Sequence, residues 1–268
     1  MKGIDVSKHQ GLIDWNKVKA SGVEFAILRM GVGGDNQKQD DSQVLRNAKE
    51  CERVGIPYGL YIYSYALTES NAHSEAQHMI RIAKQVNATL GYWYDMEDAD
   101  GYKEKHSFNP RTHKTQLTNF CLIFLKDMKL AGFNKVGVYA SYDYFKNILN
   151  LAELRKNGMI WLAHWGISKP SIECDLWQYT SKGTVSGIVG NVDMNISYMT
   201  SIDNANKKEY YPVPEFALID CLTKVGANTT MTFRKKIADA NGISNYMGKT
   251  EQNLKMLQLL KDGKLIKP

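Results

Sequence analysis

Two carboxylates one residue apart, Asp95 and Glu97, close the apolar run Tyr92-Trp93-Tyr94-Asp95-Met96-Glu97-Asp98. Read as a strand, the run alternates faces, so Trp93, Asp95 and Glu97 share one side and Tyr92, Tyr94 and Met96 the other. At about 3.3 Å per residue the two acids lie roughly 6.6 Å apart at Cα, close enough for each charge to shift the other's ionisation. Such a pair suits acid/base chemistry, with one carboxyl held protonated near neutrality while its neighbour stays ionised. A strand end whose acids only cap the next loop is the plain alternative, and this strand by itself supports both.

Positioning such acids requires elements on which they can converge. Strand and helix signals alternate over the first two hundred residues. Short strands are read at Ile4–Ser7, Phe25–Met30, Tyr58–Ser64, Val136–Ala140, Met159–Trp165 and Leu176–Thr180. Between them, helices are read at Asp14–Lys19, with Asp14 as N-cap, and at Asp41–Val54, Glu69–Val86, Pro110–Ala131 and Tyr142–Leu149. This alternation predicts a parallel α/β fold, and so many short apolar strands favour a barrel over an open sheet. In such barrels functional groups collect at the C-terminal ends of strands. Asp5, Asp95 and Glu97 occupy such ends, and Asp193 lies in Gly190-Asn191-Val192-Asp193-Met194-Asn195 near the last strand. Tyr61, Tyr63, Tyr139, Trp161, Trp165, Trp177 and Tyr179 accompany them. Rings beside carboxylates are what a glycosidase groove needs, although about half of these are expected simply to fill the core.

The totals narrow the class. At 43% hydrophobic and 23% charged residues in 268, the chain is ordinary for a globular protein, and no apolar run of about 18 residues predicts a membrane helix. The N-terminus, Met-Lys-Gly-Ile-Asp-Val-Ser, shows no apolar signal core. That implies release through a membrane hole made by a partner protein, or a mature secreted form. Cys51, Cys121, Cys174 and Cys221 are scattered singly, which reads as buried reduced thiols. His73 and His78 are five residues apart and so do not share a helix face as zinc ligands would, and no dinucleotide or P-loop glycine pattern follows a strand. No metal and no cofactor is expected.

Of the 34 Lys/Arg and 28 Asp/Glu, residues 207–268 hold eleven and six, leaving 23 and 22 for residues 1–206. The net charge of +6 thus belongs almost wholly to the C-terminal quarter. That favours an anionic partner: a cell-wall polymer, nucleic acid or a membrane surface. Residues 203–214 read as a linker, and Glu215–Val225, Thr230–Ala240 and Glu251–Lys261 as three helices of a small all-α module. The expected organisation is a barrel over 1–202, a linker over 203–214 and a helical module over 215–268.

Four collinear motifs give a resemblance. They are Gly3-Ile4-Asp5-Val6-Ser7-Lys8-His9-Gln10, the pair Asp95-Met96-Glu97, Trp161-Leu162-Ala163-His164-Trp165, and Trp177-Gln178-Tyr179-Thr180 leading to Gly187-Ile188-Val189-Gly190-Asn191-Val192-Asp193. In this order, over about residues 1–200, the chain resembles glycoside hydrolase family 25, the Chalaropsis-type lysozymes or N-acetylmuramidases. The resemblance implies an irregular (β/α) barrel that cleaves the β-1,4 bond between N-acetylmuramic acid and N-acetylglucosamine in peptidoglycan with retention of configuration. It implies Glu97 as general acid. Asp95 would be its partner, orienting the substrate's 2-acetamido group for attack or stabilising oxocarbenium-like charge, while Asp5 and Asp193 hold the surrounding network. Crowded anions around Glu97 would raise its pKa. Tyr63, Tyr139, Trp161 and Gln178 are the expected groove residues. His9, close after Asp5, is placed at the groove's edge, with a satisfied loop histidine as the alternative.

The C-terminal module loosely resembles helical modules that trail phage endolysins and autolysins, which implies cell-wall binding. The expected partner is therefore bacterial peptidoglycan or another wall polymer, without nucleic acid or membrane insertion. The rivals are a hydrolase of another N-acetylated glycan such as chitin, and a glycan-binding barrel that no longer cleaves. Pure binding gives no reason to keep four like charges together.

Overall fold

The structure is a computed structural model that describes residues 1–199 and 218–268. The chain divides into two compact units, Met1–Asp203 and Asn204–Pro268. The expected linker at 203–214 and the start of the first C-terminal helix lie outside the described residues.

The first unit is a closed eight-stranded barrel in sequential order: β1 (Lys2–Val6), β2 (Phe25–Val32), β3 (Tyr58–Tyr63), β4 (Tyr92–Asp95), β5 (Val136–Ser141), β6 (Met159–Ala163), β7 (Leu176–Gly183) and β8 (Val192–Ser197). Around it run α1 (Trp15–Ala20), α2 (Val44–Val54), α3 (Glu69–Ala83), α4 (Tyr102–Lys105), α5 (Lys114–Leu130), α6 (Tyr142–Asn147) and α7 (Leu151–Asn157). Asp14 caps α1 as expected, accepting from the Lys17 amide at 3.2 Å. Strands β1 to β7 pair in parallel, but β8 runs antiparallel to both β7 and β1. A wholly parallel barrel is therefore not formed. No helix separates β7 from β8, and without a crossover a strand can only return antiparallel. The reversal has a consequence for chemistry, because the N-terminal end of β8 lies beside the C-terminal ends of its neighbours.

Strand alternation divides the core in two. Phe25, Ile27, Trp93, Tyr139, Trp161, Ala163 and Leu176 fill the barrel interior, while the opposite parity packs against the helices. Trp93 needs space on the adjacent strand, and its register partner on β5 is Gly137. A Cβ there would stand 2.4 Å from the indole, so any larger residue would displace the floor beneath Asp95.

The second unit comprises α8 (Leu218–Lys224), α9 (Met231–Ala240) and α10 (Thr250–Lys261). They close on a small core that includes Cys221, Leu222, Ile237, Met256, Leu260 and Leu265. Thr230 caps α9 by accepting from the Phe233 amide. Among the described residues no helix is long and apolar enough to cross a membrane.

Candidate active site

The strand ends bring the four acids to one mouth. Asp5 points inward from β1 and is 4% exposed. Its Oδ2 accepts from Gln178 Nε2 on β7 at 2.9 Å and from Asn195 Nδ2 on β8 at 2.7 Å. Asp193 is its register partner across the antiparallel β1/β8 pair. Burial, then the charge of Asp193, push the Asp5 carboxyl well above the usual carboxylate range, against the opposing pull of Asn195 and Gln178. Asp193 is raised by burial too, while its hydrogen bond with Asp5 opposes the shift. Asp193 thus disfavours ionisation of Asp5, while Asp5 favours the ionised form of Asp193, so the proton of the facing pair rests on Asp5.

Asp95 ends β4, also 4% exposed. Burial, then Glu97, raise its carboxyl well above the ordinary value, with Lys103 and Arg29 opposing. Its Oδ1 is buried and accepts no hydrogen bond from any described residue. Strand parity would carry Glu97 onto the same face by extending the strand to residue 98. The strand instead stops at Asp95, after which only the Met96 amide continues the ladder, donating to the Tyr139 carbonyl at 2.9 Å. Both side chains nonetheless line one pocket. Burial lifts Glu97 to about 7, helped by Asp100, Asp193 and Asp98 and opposed by the Lys103 cation. A carboxyl that titrates near neutrality is suited to donate a proton and later take one back.

All nine residues expected at the site line this pocket: Asp5, Asp95, Glu97, Asp193, His9, Tyr63, Tyr139, Trp161 and Gln178. Their surroundings differ. Tyr139 donates to Gln178 Oε1 at 3.0 Å, and Trp165 Nε1 reaches the same oxygen at 3.1 Å. Tyr63 donates to Asp100 at 3.3 Å, and His9 is exposed in the turn that follows β1. Trp161 is only 1% exposed. It donates to Asn195 Oδ1 at 2.8 Å and packs edge-on against Tyr139, Tyr61 and Trp93, so it forms the floor that holds Asn195 against Asp5.

Sequence reasoning missed Arg29, Asn195, Asp100 and Lys103. Arg29 lies inward on β2 and pairs through Nε with Asp41 Oδ2 at 3.0 Å, and that carboxylate also accepts from the Lys8 amide at 2.9 Å. A charge in the apolar run Phe25–Met30, at the parity of Phe25 and Ile27, was the signal available for it. Lys103 gave no such signal, since Tyr102-Lys103-Glu104-Lys105 reads as a solvated turn.

The acid pocket, a cavity of about 260 Å³, meets a second of about 500 Å³ lined by Ser141, Tyr142, His164, Trp165 and Ser181. Glu97, Tyr139, Gln178 and Asp193 line both. Glu97 thus stands where two lobes join, as an acid must if a bond between two sugars is to lie over it. In the second lobe Trp165 is 52% exposed, and Tyr142 stacks on His164 with centroids 4.2 Å apart.

Elsewhere the histidines of α3 are engaged. His73 pairs with Asp127, while His78 bridges the Gly33 carbonyl and Asp40. Among the described residues no cluster of His, Cys, Asp or Glu is placed to hold a metal ion. The four cysteines are buried.

Residues 4–188 match the model of glycosyl hydrolases family 25. The chain belongs to this family. An autolytic lysozyme of Clostridium acetobutylicum is 30% identical over 201 residues, covering 73% of this chain and 55% of that protein. The modular autolysin LytC of Streptococcus pneumoniae, solved with a synthetic peptidoglycan ligand, superposes with a TM-score of 0.65 at 31% identity, over 74% of this chain and 46% of its own. The chain therefore spans about half the length of either relative. The CTP1L endolysin shares the fold over 94% of this chain and 89% of its own, with a TM-score of 0.62 at 20% identity. The irregularity expected of a family 25 barrel resides in the antiparallel β8, the strand that delivers Asp193.

Proposed function

We propose that this family 25 barrel is a peptidoglycan hydrolase that cleaves the β-1,4 bond between N-acetylmuramic acid and N-acetylglucosamine. The observation that carries the reading is Glu97, a half-buried acid lifted by desolvation to about 7 at the junction of two glycan-sized lobes. The names of its relatives, an autolytic lysozyme and an autolysin solved with a peptidoglycan ligand, favour this glycan over chitin.

In this reading protonated Glu97 gives its proton to the glycosidic oxygen as the bond to the muramic-acid C1 breaks. The 2-acetamido carbonyl oxygen of that sugar attacks C1 and forms a cyclic oxazolinium. The unpartnered Oδ1 of Asp95 supports a role as acceptor of the acetamido N–H, which directs the carbonyl at C1. Ionised Glu97 then takes a proton from water as its oxygen opens the ring, which restores the acid and retains configuration. Asp5, paired with Asp193, holds Gln178 and Asn195 and through them Tyr139 and Trp161. Tyr63, Tyr139, Gln178 and His9 are proposed to contact the glycan.

The helical unit is proposed to bind the wall. Its nine Lys/Arg against four Asp/Glu in residues 218–268 suit an anionic polymer. Action at the bacterial cell wall follows from both halves of the reading. Digestion of purified peptidoglycan by the protein and by Glu97→Gln, followed by borohydride reduction and mass spectrometry of new reducing ends, tests it. Muramitol ends from the unsubstituted protein alone are expected. Glucosaminitol ends would assign a glucosaminidase, and no new ends would leave a glycan-binding barrel.

A further inference from the structure

Lys103 is 0% exposed. From α4 its Nζ donates to the Ser64 carbonyl at 2.6 Å and to the Glu97 carbonyl at 2.7 Å. These carbonyls lie just past the ends of β3 and β4, where the ladder between the strands has run out at the bond from the Ser64 amide to the Asp95 carbonyl. The ammonium thus replaces the next rung. We propose that Lys103 is a positioning residue for the acid: its buried ammonium fastens the backbone of Glu97 to the end of β3, and its charge tunes that carboxyl. The proposal rests on reading Glu97 as the general acid.

Satisfying two carbonyls needs only a neutral donor. Burying an ammonium costs far more desolvation than burying an amide or hydroxyl, so the choice of lysine points to its charge. Charged and titratable groups face it from every neighbouring element. Glu75 comes from α3, Asp95, Glu97 and Asp98 from β4 and the turn beyond it, Cys121 from α5, and the Tyr63 ring from β3 at 6.0 Å. Glu75 is itself buried, accepting from Ser64 Oγ at 2.8 Å, from the Tyr65 amide at 2.7 Å and from the Tyr94 hydroxyl. Burial pulls the Lys103 ammonium below the usual lysine range, and the carboxylates of Glu75, Asp98 and Asp95 oppose that pull. The same cation opposes the upward push on Glu97 and Asp95. Without it, both carboxyls would hold their protons to higher pH.

The test is the pH dependence of kcat and KM on soluble muropeptide chains for the full-length protein and for Lys103→Met. Lys103→Met is expected to lower kcat about tenfold with KM within about twofold, as a displaced acid would. It is also expected to move the alkaline limb upward by about one pH unit, the response of a carboxyl to losing a neighbouring cation. The double variant Lys103→Met/Glu75→Gln also removes the buried carboxylate whose charge faces the ammonium most strongly, and so lessens the charge left uncompensated in the core. It is expected to shift the limb in the same direction. A limb that stays in place in the folded variants while kcat falls would make Lys103 merely structural and overturn the proposal. Glu97→Gln separates the two failures: if it retains activity, the assignment of the acid is wrong instead.

Discussion

At the mouth of the barrel Asp5, Asp95 and Lys103 are buried, and Glu97, Asp193 and Arg29 are half-buried, all within reach of a few strand ends. In the helical unit every described Lys, Asp and Glu lies exposed, and Arg234 is half-buried with its guanidinium on the Thr229 carbonyl and the Tyr246 hydroxyl. Charge in the first region costs stability, because desolvation disfavours the ionised forms that the fold has gathered. Charge in the second costs little, since water solvates it and salt screens it. The contrast separates two uses of ionisable side chains. Burial makes a few of them chemically reactive at neutral pH, while exposure makes many of them collectively attractive to a polyanion. The barrel can carry the cost of the first use because its interior and helical-shell cores are large, whereas the helical unit rests on one small cluster.

Four expected outcomes would break or sharpen this contrast. The largest concerns Glu97→Gln, which should lower hydrolysis by about a thousandfold or more, as loss of a general acid does, and leave wall binding unchanged in a pelleting assay. Half-retained activity would remove the barrel mouth from the comparison altogether. Asp95→Asn is next. It keeps the shape but replaces an acceptor by a donor at one oxygen, and kcat on muropeptides should fall about a hundredfold with little change in KM.

The third outcome concerns stability. Glu97 is raised from 4.5 to about 7 in the fold, so the folded state holds a proton that the unfolded chain releases between these values. Stability therefore falls as pH rises through this window and stays low above it. Glu97→Gln should thus be more stable than the unsubstituted protein by about 3 kcal/mol at pH 8, with the gain gone at pH 4, in urea unfolding followed by fluorescence. No exposed carboxylate of the helical unit, such as Glu251, should show such an effect when substituted. The smallest concerns truncation. A chain ending at residue 205 should cleave soluble muropeptides at the original rate but bind walls about tenfold less, with the loss reproduced by raising salt. Unchanged whole-cell lysis would overturn the targeting role proposed for the helical unit.

How much of this could be read in advance depended on the distance over which residues act. Asp5 and Asp95 were legible because strand alternation is local, and Tyr139 and Gln178 because they sit on well-marked apolar strands. Glu97 was placed on the right face by extending a strand that in fact stops two residues earlier. Strand β8 was not read as a strand, and its direction was not legible either, since Val192–Ser197 carries the same local pattern whichever way it pairs. Lys103 was the hardest case. Its neighbours Glu104 and Lys105 are exposed, and only the turn that folds α4 back over the ends of β3 and β4 buries the residue between them. Asn195 was hidden likewise, its role arising from contact with Asp5 across 190 residues.

The most direct test of the central claim is the titration of Glu97 itself, followed by NMR of side-chain carboxyl carbons in glutamate-labelled protein with Glu97→Gln identifying the resonance. The expected result is a midpoint near 7 that coincides with the alkaline limb of muropeptide hydrolysis. A midpoint at the ordinary glutamate value of 4.5 would contradict it, because an acid ionised across the neutral range could not protonate the leaving sugar.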